Sequence, residues 1–174
     1  MRPIAPLPFM QWAEIHRTER FISFEPLSGY SLVVREDEGY VIYLPPDAGD
    51  DALGAALLKV LDKSRFILPD DDPNLLEWRR YRKCGQNWHK DVMRRYGYKT
   101  KRDLYKHMNW CRAKRSEGTI SIQPHQRRDK PGEWRWLPPE QKVVIPATRD
   151  AAAVGAALRL ALDRCEQLRA DPRS

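Results

Sequence analysis

Long apolar runs are what the chain most clearly lacks. The longest, Ala151–Leu158, covers about eight residues, whereas a membrane span needs about twenty, so a transmembrane helix is excluded. Cysteine is scarce too. Cys84, Cys111 and Cys165 cannot all pair, which excludes a disulfide framework and leaves reduced, mostly buried thiols as the expectation. The catalytic signatures G-x-S-x-G, G-x-x-x-x-G-K-[ST], H-E-x-x-H and the dinucleotide-binding glycine run are all missing. His16 and His125 fall in segments that read as exposed, and neither has a partner at a catalytic spacing. No catalytic residue, metal or cofactor is therefore assigned, and the chain is not expected to be an enzyme. The start, MRPIAPLPFMQW, carries three prolines in place of the apolar helix and small-residue cleavage site of a secretory signal, so a cytoplasmic protein is expected.

What is present is charge, unevenly placed. The net charge of +7 hides a segment, Trp78 to Arg115, with fourteen basic and two acidic residues, a net +12. The remaining sequence carries −5. The basic segment also holds Trp78, Tyr81, Trp88, Tyr96, Tyr98, Tyr105 and Trp110. Three readings of it stay open: phosphates neutralised with bases stacked on the aromatics, a protein interface built from Arg, Trp and Tyr, or aromatics packed inward beneath a solvated face. Acidic residues cluster elsewhere, at Glu36–Asp37–Glu38, Asp47, Asp50 and Asp51, and Asp70 to Asp72. Paired carboxylates on a loop can imitate phosphates to a basic cleft.

At 174 residues the chain suits one domain, or two small halves sharing a core. SLVVR (31–35) and YVIYL (40–44) flank EDEG and read as a hairpin. Asp50 or Asp51 then caps a helix whose Leu53, Ala56, Leu57, Val60 and Leu61 form one apolar stripe. The middle reads as three short helices. The first runs from Asp72 as N-cap and Pro73 to about Lys83, the second from about Gln86 to Tyr96, stopped by Gly97, and the third from Thr100 to about Arg112. TISIQ, EWRWL and QKVVIPA read as strands of a second small sheet, and Thr148 or Asp150 caps a last helix to about Leu168.

That last helix repeats the first. GAALLKVLDKS (54–64) and GAALRLALDRC (155–165) align without a gap, six of eleven positions are identical, and Ile42, Leu44 and Pro45 fall opposite Val143, Ile145 and Pro146. The expected fold is α+β, a single compact domain of two related β-β-α halves (about 28–68 and 117–168) flanking a basic helical insert (about 73–115), with residues 1–20 as an N-terminal extension. The glycine that leads each helix is expected to permit close packing on a strand. Cys84, His89, His107 and Cys111 have a weak zinc-like spacing, and packed or surface roles suit them better.

SRFI, RRYGYKTKRDLYKHMNWC, GTISIQP, EWRWLPP and VVIPATRDAAAVGAALRLALDRC together resemble the CdiI family of contact-dependent growth inhibition immunity proteins, over most of the chain from about Phe21 onward. The resemblance implies a cytosolic, non-catalytic protein that forms a 1:1 heterodimer with the toxic C-terminal domain of a cognate CdiA effector. Such toxins are often nucleases, particularly ribonucleases, and the immunity protein blocks the active cleft or keeps the toxin from its substrate. The expected contact residues are Glu36, Asp37, Glu38, Asp70 and Asp71 on an acidic face, favoured for a basic cleft, with Trp88, Arg94, Arg95 and Tyr98 from the basic segment. The alternative is a nucleic-acid-binding module using residues 78–115.

Overall fold

The structure, a computed structural model, describes residues 7–36, 39–127 and 133–170. Strands β1 (Met10–Arg17), β2 (Ile22–Gly29), β3 (Val33–Val34) and β4 (Ile42–Leu44) lead into helix α1 (Asp50–Lys63). Helices α2 (Trp78–Tyr96) and α3 (Lys101–Tyr105) follow. Strands β5 (Asn109–Ser116), β6 (Thr119–Arg127), β7 (Trp134–Trp136) and β8 (Val143–Pro146) then lead into helix α4 (Ala151–Ala170). All eight strands join one antiparallel sheet in the order β3-β2-β1-β5-β6-β7, with β4 also paired to β2 and β8 also paired to β6. The protein is therefore a mixed α/β domain with one antiparallel sheet, where two sheets were expected.

Period-two alternation decides which side chains face which layer. Ala13 and Ile15 of β1, Ile22 and Phe24 of β2, Cys111 and Ala113 of β5, and Ile120 and Ile122 of β6 point to one face. There they meet the stripes of α1 (Leu53, Ala56, Leu57, Val60, Leu61) and α4 (Val154, Ala157, Leu158, Ala161, Leu162), all of them buried as the periodicity predicts. The Cys111 and Cys165 thiols are free and buried in this core, 3.7 Å apart. Gly54 and Gly155 mark where the two helices cross, and their role differs from expectation. A Cβ on Gly54 would overlap the Ala151 carbonyl oxygen and one on Gly155 that of Asp50, so each glycine admits the other helix and not a strand. Asp150 caps α4 by accepting from the Ala153 N–H.

Four local expectations are corrected. Residues 10–17, placed in an N-terminal extension, form β1 between β2 and β5. Trp12, Glu14 and His16 alternate with Ala13 and Ile15, but both sets are covered, so the polar half disguised a buried strand. The hairpin does not form, because β3 and β4 both pair with β2. The first two middle helices are one. Asp72 accepts from the Asn74 N–H in a turn, and α2 starts only at Trp78 and passes through Gly85. Interior glycine costs a helix about 1 kcal/mol, which burial of Trp88 and Val92 outweighs. The third helix ends at Tyr105, because Cys111 and Ala113 alternate with Trp110 and Arg112 and the period has become that of strand β5, so residues 73–115 are not wholly helical. The ends of the middle segment are as read. Gly97, at φ 70°, closes α2 in a left-handed conformation, and Thr100 caps α3 through the Asp103 N–H.

Candidate functional site

The sheet face turned away from α1 and α4 is aromatic and charged. Adjacent strands bring Trp136, His125, Trp110 and His16 side by side, each registered opposite the next. His125 stacks on Trp110 at 3.8 Å and lies 4.2 Å from Trp136, while His16 lies 6.2 Å from Trp110 and 4.8 Å from Trp88 of α2. Both histidines are buried, against the expectation of exposure. Burial pushes His16 down to about 3 and His125 down to about 4, so both imidazoles are neutral near pH 7.

Beside this ladder runs a charged row. Arg35 sits between Glu14 and Glu25, with Nη2 2.9 Å from Glu14 and Nε 2.5 Å from Glu25, and Arg112 lies 4.0 Å from Glu14. Burial pushes Glu14 up, but Arg35, His16, Arg112 and His125 together outweigh it and hold the carboxyl below its usual range. Burial wins at Glu25, which is raised to about 7. Ligand atoms of Glu14, His16 and Glu25 all lie within 4.8 Å of one another, a set suited to a divalent cation. Arg35, paired to both carboxylates, already supplies the positive charge there. Cys84, His89, His107 and Cys111 do not form a zinc set, since His107 is exposed while Cys111 faces α4.

Helix α2 roofs this face. Trp88 and Val92 pack with Phe21, Tyr98, Leu104 and Met108 in a second core. The His89 Nδ1–H donates to the Gly85 carbonyl at 2.7 Å and its Nε2 accepts from the Tyr105 hydroxyl, which ties α2 to α3. A cavity of about 280 Å³ opens between α2 and β4, lined by Tyr40, Tyr43, Asn87 and Asp91. A second, of about 400 Å³, opens between α2, α3 and β7, floored by Glu14, His16 and Trp110 and walled by Tyr81, Trp88, Tyr105 and Trp134. Among the described residues, the buried indole N–H groups of Trp88 and Trp110 and the Nδ1 of His16 have no hydrogen-bond partner. Each such group left unpaired costs about 1–3 kcal/mol.

The expected contact residues are scattered. Trp88 and Tyr98 are corrected: both are buried and cannot serve as surface anchors. Trp88 holds α2 to the sheet, and the Tyr98 hydroxyl donates to Thr18 at the β1–β2 turn. Arg94 and Arg95 are exposed, beside Asp91. Glu36 is taken by Arg65 and Ser28, Asp71 accepts from the Leu68 N–H, and Asp70 is exposed. Asp37 and Glu38 lie outside the described residues. Sequence reasoning missed Glu14, His16, Glu25, His125 and Trp134. The signal for Glu14 and His16 was their alternation with Ala13 and Ile15.

The family model for the CDI immunity protein CdiI matches residues 11–165. The chain belongs to the CdiI family. Among the CdiI relatives is the immunity protein CdiI-YPIII of Yersinia pseudotuberculosis serotype O:3 (strain YPIII), 32% identical over 169 residues, 89% of this chain and 95% of that one. The fold of this CdiI protein is shared with a chain of the CdiA-CT/CdiI toxin and immunity complex from Yersinia pseudotuberculosis, with a TM-score of 0.84 and 32% identity over 90% of this chain and 98% of that one. A Neisseria meningitidis protein of unknown function also matches, with a TM-score of 0.82 and 26% identity over 90% of this chain and 96% of that one.

Proposed function

We propose that this CdiI protein binds the toxic C-terminal domain of a cognate CdiA effector one-to-one in the cytoplasm and neutralises it without catalysing a reaction. The observation that carries the reading is the likeness to a chain of a solved CdiA-CT/CdiI complex over almost the whole of that chain. A nuclease toxin, of ribonuclease type, covered at its active cleft, is the finer form, and it rests on the family resemblance drawn from the sequence. An inhibitor acting by occupancy needs nanomolar affinity or better, about −12 kcal/mol. The test is co-expression with the toxin domain of the same locus. Growth is restored and cellular RNA stays intact if the reading holds. Arrested growth with both proteins present at equal levels contradicts it, and arrested growth without RNA cleavage when the toxin is expressed alone removes the nuclease.

We further infer that the domain is two copies of one unit, β1-β2-β3-β4-α1 and β5-β6-β7-β8-α4, a longer repeat than the two β-β-α halves read from the sequence. What supports this is a set of matched registers. Trp12 faces Lys114 as Trp110 faces His16, Ile22 faces Leu44 as Ile120 faces Ile145, and Ser28 faces Val34 as Gln126 faces Arg135. Ile22-Ser23-Phe24-Glu25-Pro26 likewise parallels Ile120-Ser121-Ile122-Gln123-Pro124. Helices α2 and α3 are inserted once, between the copies. They break the symmetry, so one roofed site exists where two equivalent ones would otherwise lie, as binding a single partner requires.

A further inference from the structure

Toxin binding, on which this inference rests, needs a seat on the immunity protein. We propose that the cavity between α2, α3 and β7 is a socket for a carboxylate side chain of the CdiA C-terminal toxin domain, with Trp78 and Tyr81 as the apolar contacts on the α2 surface leading to it. Three observations converge on this place. The charged groups lining the cavity are Arg35, Arg82 and Lys101 against Glu14 alone. Glu14 is satisfied by Arg35, while Arg82 and Lys101 have no ion pair among the described residues. The net positive lining rejects a cation despite the aromatic walls and favours an anion.

The second observation is the supply of hydrogen-bond donors. The Trp88 and Trp110 indoles can only donate, both are buried and unpartnered among the described residues, and both belong to the cavity lining. His16 Nδ1 on the same floor is likewise unpartnered, and all three atoms lie just beneath the cavity surface, so an acceptor entering the socket reaches them once the floor side chains shift. Third, Trp78 and Tyr81 are 62% and 57% exposed on the first turns of α2, among Arg79, Arg82 and Lys83. Exposed Trp and Tyr framed by Arg is the composition of interface anchors.

Depth separates a protein carboxylate from an RNA phosphate. The floor residues His16 and Trp88 are 6% and 5% exposed. A phosphodiester would have to bring both flanking nucleotides to that depth, whereas a side chain enters alone.

The socket is tested by measuring binding of the purified cognate toxin domain to the full chain and to three variants, with thermal unfolding as the control for folding. Gln86→Trp plugs the cavity from an exposed position of α2, and Lys101→Glu reverses the charge on α3. Each is expected to weaken binding about 100-fold, as loss of a desolvated charge contact does. Lys59→Glu, exposed on α1 on the opposite side of the sheet, is expected to leave affinity within about threefold. If Gln86→Trp fails to fold, Lys101→Glu carries the decision. Wild type that binds tightly, with both socket variants unchanged, overturns the socket and leaves the immunity reading standing. Wild type that does not bind overturns that reading itself. A single-stranded RNA 20-mer that competes with the toxin domain and is lost in Lys101→Glu assigns the socket to nucleic acid and overturns the proposal.

Discussion

The two faces of the sheet are built on opposite principles. Against α1 and α4 the strands present Ala, Ile, Phe and Cys to Ala- and Leu-rich stripes, and the helices approach so closely that glycine is required at both crossing points. Against α2 the same strands present Glu, His, Trp and Arg, and two cavities remain beneath the roof. Apolar burial stabilises at roughly 25 cal/mol per Å² without demanding direction. A buried polar group stabilises only when its partners are in place. The first face therefore holds the fold by undirected apolar burial, and the second by directional pairs whose partners must all be in place.

The largest effect expected comes from breaking the charged row. Arg35→Met leaves Glu14 and Glu25 buried without their shared cation and should destabilise by about 4 kcal/mol at pH 8 in urea unfolding. The loss should shrink at pH 5, where Glu25, raised to about 7, takes up a proton. A loss below about 1 kcal/mol at both pH values would show that the row is not structural.

Next is the helix crossing. Gly155→Ala forces α1 and α4 apart and should destabilise by about 3 kcal/mol. An unchanged urea midpoint would mean that the apolar face is as tolerant as the polar one.

The pH profile separates the faces further, because His16, His125 and Glu25 all belong to the second. His16 and His125 fall from 6.5 in the unfolded chain to about 3 and about 4 in the fold. Each therefore contributes stability that is present above pH 6.5 and lost as pH falls, about 2 kcal/mol between pH 7 and pH 5. Glu25 works in the opposite direction, because a raised carboxyl favours the folded state as pH falls through 7 toward 4.5, by about 2 kcal/mol. The net expectation is a loss of about 2 kcal/mol from pH 7 to pH 5, and His125→Phe should remove most of it. A wild-type midpoint that rises on acidification would contradict the buried neutral imidazoles.

The smallest effect has the opposite sign. Gly85 lies inside α2, and the nearest atom to an added Cβ is 3.9 Å away. Gly85→Ala should stabilise by about 1 kcal/mol, where the same change at Gly155 destabilises.

The apolar face was legible and the polar face was not. The stripes of α1 and α4 follow from the period alone. Asp72–Pro73 carries every local mark of a helix start, yet the chain turns there and waits until Trp78, because Leu75 is drawn into a small cluster with Val34 and Ile67. Met108 to Arg112 reads as helix from the helical spacing of Leu104, Met108 and Cys111, and as strand only from the alternation of Cys111 and Ala113 with their neighbours. The socket could not be read locally at all. Its floor comes from β1 and β5, its walls from α2, α3 and β7, and His16 lies more than ninety residues from Trp110. A histidine opposite a tryptophan looks ordinary until register places the two side by side.

Occupancy of one folded toxin domain by one copy of this chain is the claim on which the rest depends, and isothermal titration of the purified protein with the cognate CdiA C-terminal toxin domain tests it most directly. The account predicts one-to-one stoichiometry with a Kd of about 1 nM or tighter. Absence of binding heat, or a Kd weaker than about 1 μM, would contradict it.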